Sequence, residues 1–275
     1  MHPTRAAVCL FAVLLAGCSS GATSAPTRSP SAAPSASANA TANGHASAAK
    51  HFTYEGAEGP ERWGDLDASW GVCKTGRSQS PIDLTGAKGA DLPNLQPAYG
   101  SSTWTLVNTG HGLQAVPAEG STLSLAGATW SLKQFHLHTP SEHLVDNKAA
   151  AGELHLVHAG PDGRLLVVGV LLTQGTADNP AWSWLSGTLP TEPGAKGSAA
   201  SALSPAILLP SSLAHETYLG SLTTPPCTEG VTWVVLEKPV ALSASQLARV
   251  GAMSGDNARP VQPLNGRTLQ EDSTP

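Results

Sequence analysis

The chain has 275 residues, a charged fraction of 13%, an aromatic fraction of 5%, a formal net charge of -5 and a pI near 6.0. That length can bury one sizeable core, and the acidic balance excludes the basic footprint that binding to nucleic-acid phosphates requires. One main globular domain with an appendage is the expected organisation.

Arg5 precedes the apolar run "AAVCLFAVLLAG". The run is too short to span a bilayer as a helix of about 20 residues, but it suits the core of a secretory signal. It ends in "LAGC", Leu15 to Cys18, which resembles a bacterial lipobox in which small residues admit the processing peptidase and Cys18 takes the lipid. From Ser19 to about residue 50 the chain is dominated by Ser, Ala, Thr, Pro and Gly. Such a segment has almost no apolar bulk to bury and reads as a flexible tether. The expected order is a signal peptide over 1–18, a tether over 19–50 and a folded domain over 51–275, exported beyond the cytoplasmic membrane and held at the envelope through lipidated Cys18.

Of the four cysteines, Cys9 lies in the signal core and Cys18 is the expected lipid site, which leaves Cys73 and Cys227. In an exported chain such a pair favours a disulfide, with free buried thiols as the alternative. Closing so long a loop would stabilise the fold by about 4–5 kcal/mol in the chain-entropy model.

From His51 onward, short β-type runs alternate with Gly, Pro, Asn and Asp punctuation, and the domain reads as mainly β. The predicted strands are 103–108, 112–116, 129–138, 152–159, 164–173 and 231–238. The turn signal "PDG" at 161–163 and short connections predict antiparallel neighbours. Residues 176–215, rich in Pro, Ser and Ala, are expected to form loop with one or two short helical turns.

The stretch "FHLHTPSEH", Phe135 to His143, holds three of the ten histidines and a glutamate. Side chains alternate across a strand, so His136 and His138 share a face with Gln134, while Phe135 and Leu137 take the other. On 152–159 the same alternation groups Glu153, His155 and Val157 against Leu154, Leu156 and His158. If the two strands pair, His155 completes a three-histidine set. Three neutral imidazoles with an open fourth position suit a catalytic zinc ion. Gln134 and Glu153 could accept the remaining ring N–H groups and fix the tautomers.

"QFHLHTPSEH" (134–143) and "GELHLVH" (152–158) together resemble the α-class carbonic anhydrases in their bacterial form. The resemblance continues in order through "YEGAEGPERWG" (54–64), "GRSQSPIDL" (76–84), "NTGH" (108–111), "SLTTPPCTEGVTW" (221–233) and "RPVQPLNGR" (259–267). It implies a central twisted, mostly antiparallel β-sheet with short peripheral helices. It also implies zinc on His136, His138 and His155, whose bound hydroxide attacks carbon dioxide to give bicarbonate. Thr223 matches the gatekeeping threonine that donates to the carboxylate matching Glu142. Val157, Val167, Leu222 and Trp233 match an apolar substrate wall, with Thr223 and Thr224 beside it. His111 matches the proton shuttle, and Tyr54, Asn108, Gln114 and Thr224 match or adjoin positions that order its water chain. His143 matches a buried histidine supporting Glu153 and Tyr218, and Cys73 with Cys227 matches the bacterial disulfide. Ala150 departs from the aromatic usual two residues before the Gly of "GELH". His2, His45, His51 and His215 carry no motif.

Three rival readings are weaker. "HLHTPSE" also fits the opening of a cupin, but Trp130 stands where cupins place glycine, and no second cupin half follows. A non-catalytic carbonic-anhydrase-related domain keeps the fold but loses metal ligands, and none is lost here; a lipoprotein that only sequesters zinc would have no use for Thr223, Glu142 and His111 in register.

Overall fold

The computed structural model describes residues 51–272. The expected signal peptide, Cys18 and the tether lie outside the described residues. The strands are β1 (Lys88–Ala90), β2 (Gln96–Ala98), β3 (Thr105–Asn108), β4 (Leu113–Val116), β5 (Thr122–Leu125), β6 (Ala128–His138), β7 (Leu144–Val145), β8 (Lys148–Ala149), β9 (Gly152–Ala159), β10 (Leu165–Gln174), β11 (Lys196–Ser198), β12 (His215–Ser221), β13 (Glu229–Leu242) and β14 (Gln270–Asp272). Twelve of them form one sheet whose main path runs β1-β14-β12-β13-β10-β9-β6-β4-β3-β11. Most neighbours are antiparallel, as expected, and "PDG" closes the β9–β10 hairpin. Two pairings, β10 with β13 and β1 with β14, are parallel. The first is reached through the long connection over 175–228, which frees the chain from hairpin geometry.

Each face of the sheet carries its own apolar cluster. The larger takes Trp130, Leu132, Phe135 and Leu137 from β6, Leu154 and Leu156 from β9, and Val168 and Val170 from β10. The smaller, on the face that bears the histidines, takes Val167, Trp233 and Val235, with Val157 packed against them. Fully burying such a side chain contributes about 1.5–3 kcal/mol.

One irregularity in β6 decides where the histidines go. Trp130 and Leu132 are buried in the larger cluster, yet by strict alternation they would share a face with Gln134, His136 and His138. The register against β9 slips between Leu132 and Gln134, and Lys133 at the slip is exposed. This bulge adds one residue and flips the parity, so downstream even-numbered residues face away from the larger core.

The 176–215 segment contains two helical turns, Pro180–Ser186 and Pro205–Leu208, where one or two were expected. It also contains two elements that differ from a loop reading: β11, which pairs with β3, and the start of β12 at His215. Lys196-Gly-Ser is too short to show alternation. Trp182, Trp184 and Leu185 from the first turn are buried in the larger cluster, so this segment caps the core.

The longest helix among the described residues, Ala244–Ser254, went unpredicted, although its start is legible. Ser243 accepts from the Gln246 backbone, and the Gln246 side chain accepts from the Ser243 backbone, a reciprocal capping box. Among the described residues no helix is long and apolar enough to cross a membrane.

Candidate metal centre

β6 and β9 pair with His136 opposite His155 and His138 opposite Glu153, so the three predicted imidazoles meet. Their ring centroids are 4.5–5.2 Å apart, and each offers a nitrogen within 4.8 Å of the others. One nitrogen of each ring is engaged on the outside. His136 Nδ1 lies 2.8 Å from Gln134 Oε1, His138 Nδ1 lies 2.8 Å from the Asn257 carbonyl oxygen, and His155 Nε2 lies 3.0 Å from Glu153 Oε1. The Gln134 and Asn257 oxygens accept, which places the N–H of His136 and His138 on the outer nitrogen and leaves a lone pair on the inner one; Glu153 Oε1 faces His155 Nε2 at ion-pair distance, off the line of a formed hydrogen bond.

The donor set therefore fits a zinc ion. His138 Nε2 is buried with no hydrogen-bond partner, a costly state unless it ligates. Burial pushes the proton affinity of all three histidines down, and the neighbouring imidazoles push His136 and His155 further. Neutral imidazole is the form a metal requires. His143, Glu153 and His155 also lie close together. Both His143 nitrogens are spent, however, at 2.7 Å from Glu153 Oε1 and 2.7 Å from the Tyr218 hydroxyl, so that group is a support chain.

Glu153 anchors this support. Burial alone would raise its pKa, but the charges and hydrogen bonds of His143 and His155 hold it well below the usual carboxylate range. Its Oε2 also accepts from the Glu142 and His143 backbone N–H groups at 3.0 and 2.9 Å. Gly169 on the neighbouring strand makes room for it, since a Cβ there would stand 2.9 Å from Glu153 Oε1.

Glu142 is 1% exposed; its Oε1 accepts from the Arg259 backbone N–H at 2.9 Å, and its Oε2 lies 3.5 Å from His138 Nε2. Burial pushes its pKa up to about 7, against the opposing pull of His155, the Arg259 N–H and the Thr223 hydroxyl. A cation among the imidazoles would favour the ionised form. Thr223 is buried in the loop between β12 and β13. That loop is closed by Leu222 N–H to Thr228 O at 3.0 Å and Cys227 N–H to Thr224 O at 2.8 Å. It is also tied to the N-terminal helices by the predicted Cys73–Cys227 disulfide. Arg259 braces the same region by donating to Gln79 Oε1, the Ser80 carbonyl and the Cys73 carbonyl.

A cavity of about 260 Å³ opens onto His136 and His138 and is lined also by Tyr54, His111, Gln114 and Thr224. Thr223 and the four proposed wall residues are not among its lining. The wall is nevertheless contiguous: Val157 pairs with Val167, Val167 with Trp233, and the Trp233 ring stands 4.8 Å from His155. Leu222 packs on the same cluster. Asn108 does not line the cavity. Its amide instead donates to the Pro190 and Thr191 carbonyls and accepts from Gly110 N–H, so it builds the turn that carries His111.

Asn257 was not foreseen. Its carbonyl holds His138, and its Nδ2 donates to the His111 carbonyl at 2.9 Å and the Leu137 carbonyl at 3.0 Å, joining the shuttle turn to the ligand strand. Gly112 is required beside it, because its φ is +151° and a Cβ would stand 2.9 Å from that amide. No pattern marks Asn257 in the sequence, whereas Arg259 opens the "RPVQPLNGR" block.

The family model for eukaryotic-type carbonic anhydrase matches residues 58–273. A carbonic anhydrase of Klebsiella pneumoniae is 41% identical over 226 residues, which cover 81% of this chain and 92% of that protein. The solved α-carbonic anhydrase of Photobacterium profundum superposes with a TM-score of 0.76 at 41% identity, over 80% of this chain and 100% of that one. That of Thermovibrio ammonificans, solved in complex with the inhibitor sulfanilamide, gives a TM-score of 0.78 at 41% identity, over 80% and 99%. The fold, the histidine geometry and these matches agree, and the chain belongs to the α-class carbonic anhydrases.

Proposed function

We propose that this protein hydrates carbon dioxide reversibly to bicarbonate and a proton, with zinc held by His136, His138 and His155. The observation that supports this best is the trio of buried imidazoles, each engaged outward through one nitrogen and free inward through the other. Zinc, when bound, supplies a Lewis acid that lowers the pKa of water to about 7.

The chain's own residues do the rest. Glu142, ionised, accepts a hydrogen bond from the Thr223 hydroxyl, so the Thr223 oxygen presents only a lone pair to the site and orients the nucleophile's proton toward itself. The Thr223 backbone N–H faces the substrate oxygen that gains charge. Carbon dioxide is uncharged and a weak acceptor, so Val157, Val167, Leu222 and Trp233 hold it by exclusion of water. His111 carries the released proton outward. Stopped-flow hydration by the zinc-loaded full chain is the test; a rate no faster than the buffer blank would sink the reading.

We also propose that Cys18 carries a lipid that holds the chain at the envelope, on the strength of "LAGC" after an apolar core and before a tether. Cys18→Ser is expected to move the protein from the membrane to the soluble fraction. Unchanged membrane retention would remove the assignment.

A further inference from the structure

His51 carries no motif, yet the fold sets it beside the turn that bears His111. The two ring centroids are 6.1 Å apart and tilted by 45°. His51 Nδ1 lies 3.1 Å from Glu58 Oε2. Between inner cavity and solvent, His111 is held by Phe52, which stacks on it at 3.9 Å with an interplanar angle of 12°. Phe52 is itself wedged edge-on by Trp63 at 5.2 Å and Trp70 at 6.1 Å. The Trp63 indole N–H also reaches the Thr53 and Glu58 carbonyls at 2.9 and 3.1 Å. One indole thus fixes the ring stacked on His111 and the backbone of the His51–Glu58 pair.

His111 lines two spaces at once. The inner is the cavity shared with His136 and His138; the outer is a groove of about 510 Å³ lined also by His51, Glu55 and Asp256. A proton leaving His111 outward therefore meets one imidazole and several carboxylates. Glu58 as acceptor puts the N–H of His51 on Nδ1 and leaves Nε2 with its lone pair. A proton taken up at Nε2 makes an imidazolium with a carboxylate already beside it.

We propose that His51, backed by Glu58, is the outer proton acceptor of the hydration reaction. The N–H proton of protonated His111 passes through one bridging water to His51 Nε2 and then to solvent base; only N–H and O–H bonds form and break. Burial lowers the proton affinity of His111, and positive charge on His51 lowers it further, which favours release of its proton. The His51 side chain is 64% exposed, so its ring is open to solvent base. The relay rests on the reading of His111 as shuttle.

The test compares the zinc-loaded full chain with His51→Ala, Glu58→Gln and His111→Ala in weak and in imidazole-rich buffer. In weak buffer His51→Ala should lower kcat about threefold with kcat/KM unchanged, and imidazole should restore it. Glu58→Gln should lower kcat in the same sense by less. His111→Ala should lower it by about tenfold or more. Equal kcat for His51→Ala and wild type, with His111→Ala impaired, overturns the relay alone. An unimpaired His111→Ala removes the shuttle and the relay together. A fall in kcat/KM for His51→Ala, without imidazole rescue, would assign His51 a structural role and also overturn the proposal.

Discussion

Replacing His138 by alanine is expected to lower kcat/KM for carbon dioxide hydration by about 10⁴-fold or more and to reduce bound zinc from about one per chain to near none. His138 is the most informative of the three ligands. Its outer nitrogen bonds a backbone carbonyl, and its inner nitrogen has no hydrogen-bond partner in the protein, so its imidazole is free to take the proposed metal. The two remaining histidines cannot close a three-ligand site. The ring lies on the site face, outside the larger apolar cluster, so the fold should persist. Metal analysis, stopped-flow rates and thermal melting on the same sample separate loss of zinc from loss of structure. Wild-type zinc and activity in the variant would contradict the ligand assignment.

Thr223→Ala should cost about 100-fold in kcat while leaving zinc bound, because it removes an orienting hydroxyl and no ligand. Glu142→Gln should act in the same direction through the same hydroxyl: an amide can donate to Thr223, which would turn the hydroxyl's own proton toward the substrate. The position is sensitive because Glu142 Oε2 is buried and Thr223 is one of the few groups that lower its pKa. The pair of variants should be strongly non-additive, since both break one contact. Full additivity would mean that the two residues act separately.

The site was legible where chemistry and local period coincide. His136, His138 and Gln134 share a face because three alternating residues suffice to show it, and Glu153 and His155 follow likewise on β9. Its supports were less legible. Asn257 acts through its backbone carbonyl as much as its side chain, and any residue type has a carbonyl. The bulge at Lys133 leaves no mark in residue type, so the alternation read correctly for 134–138 would misplace Trp130 and Leu132. β11 is a three-residue edge strand defined by its partner rather than its own pattern. His51 looked bland because its neighbours, Glu58 and His111, are brought to it only by folding.

The bulge in β6 also sets the kind of change this active site can survive. Upstream of Lys133 the even-numbered positions serve the core; downstream they serve the chemistry. If this strand ran regularly at its present length, the two sets would swap: the imidazoles of β6 would turn into the apolar layer, and Phe135 and Leu137 would turn toward the cavity. Deleting Lys133 would instead remove the bulge and leave both sets on their present faces. The site thus depends on an irregularity of the backbone, and a change that straightened it would displace both histidines of β6 without altering either.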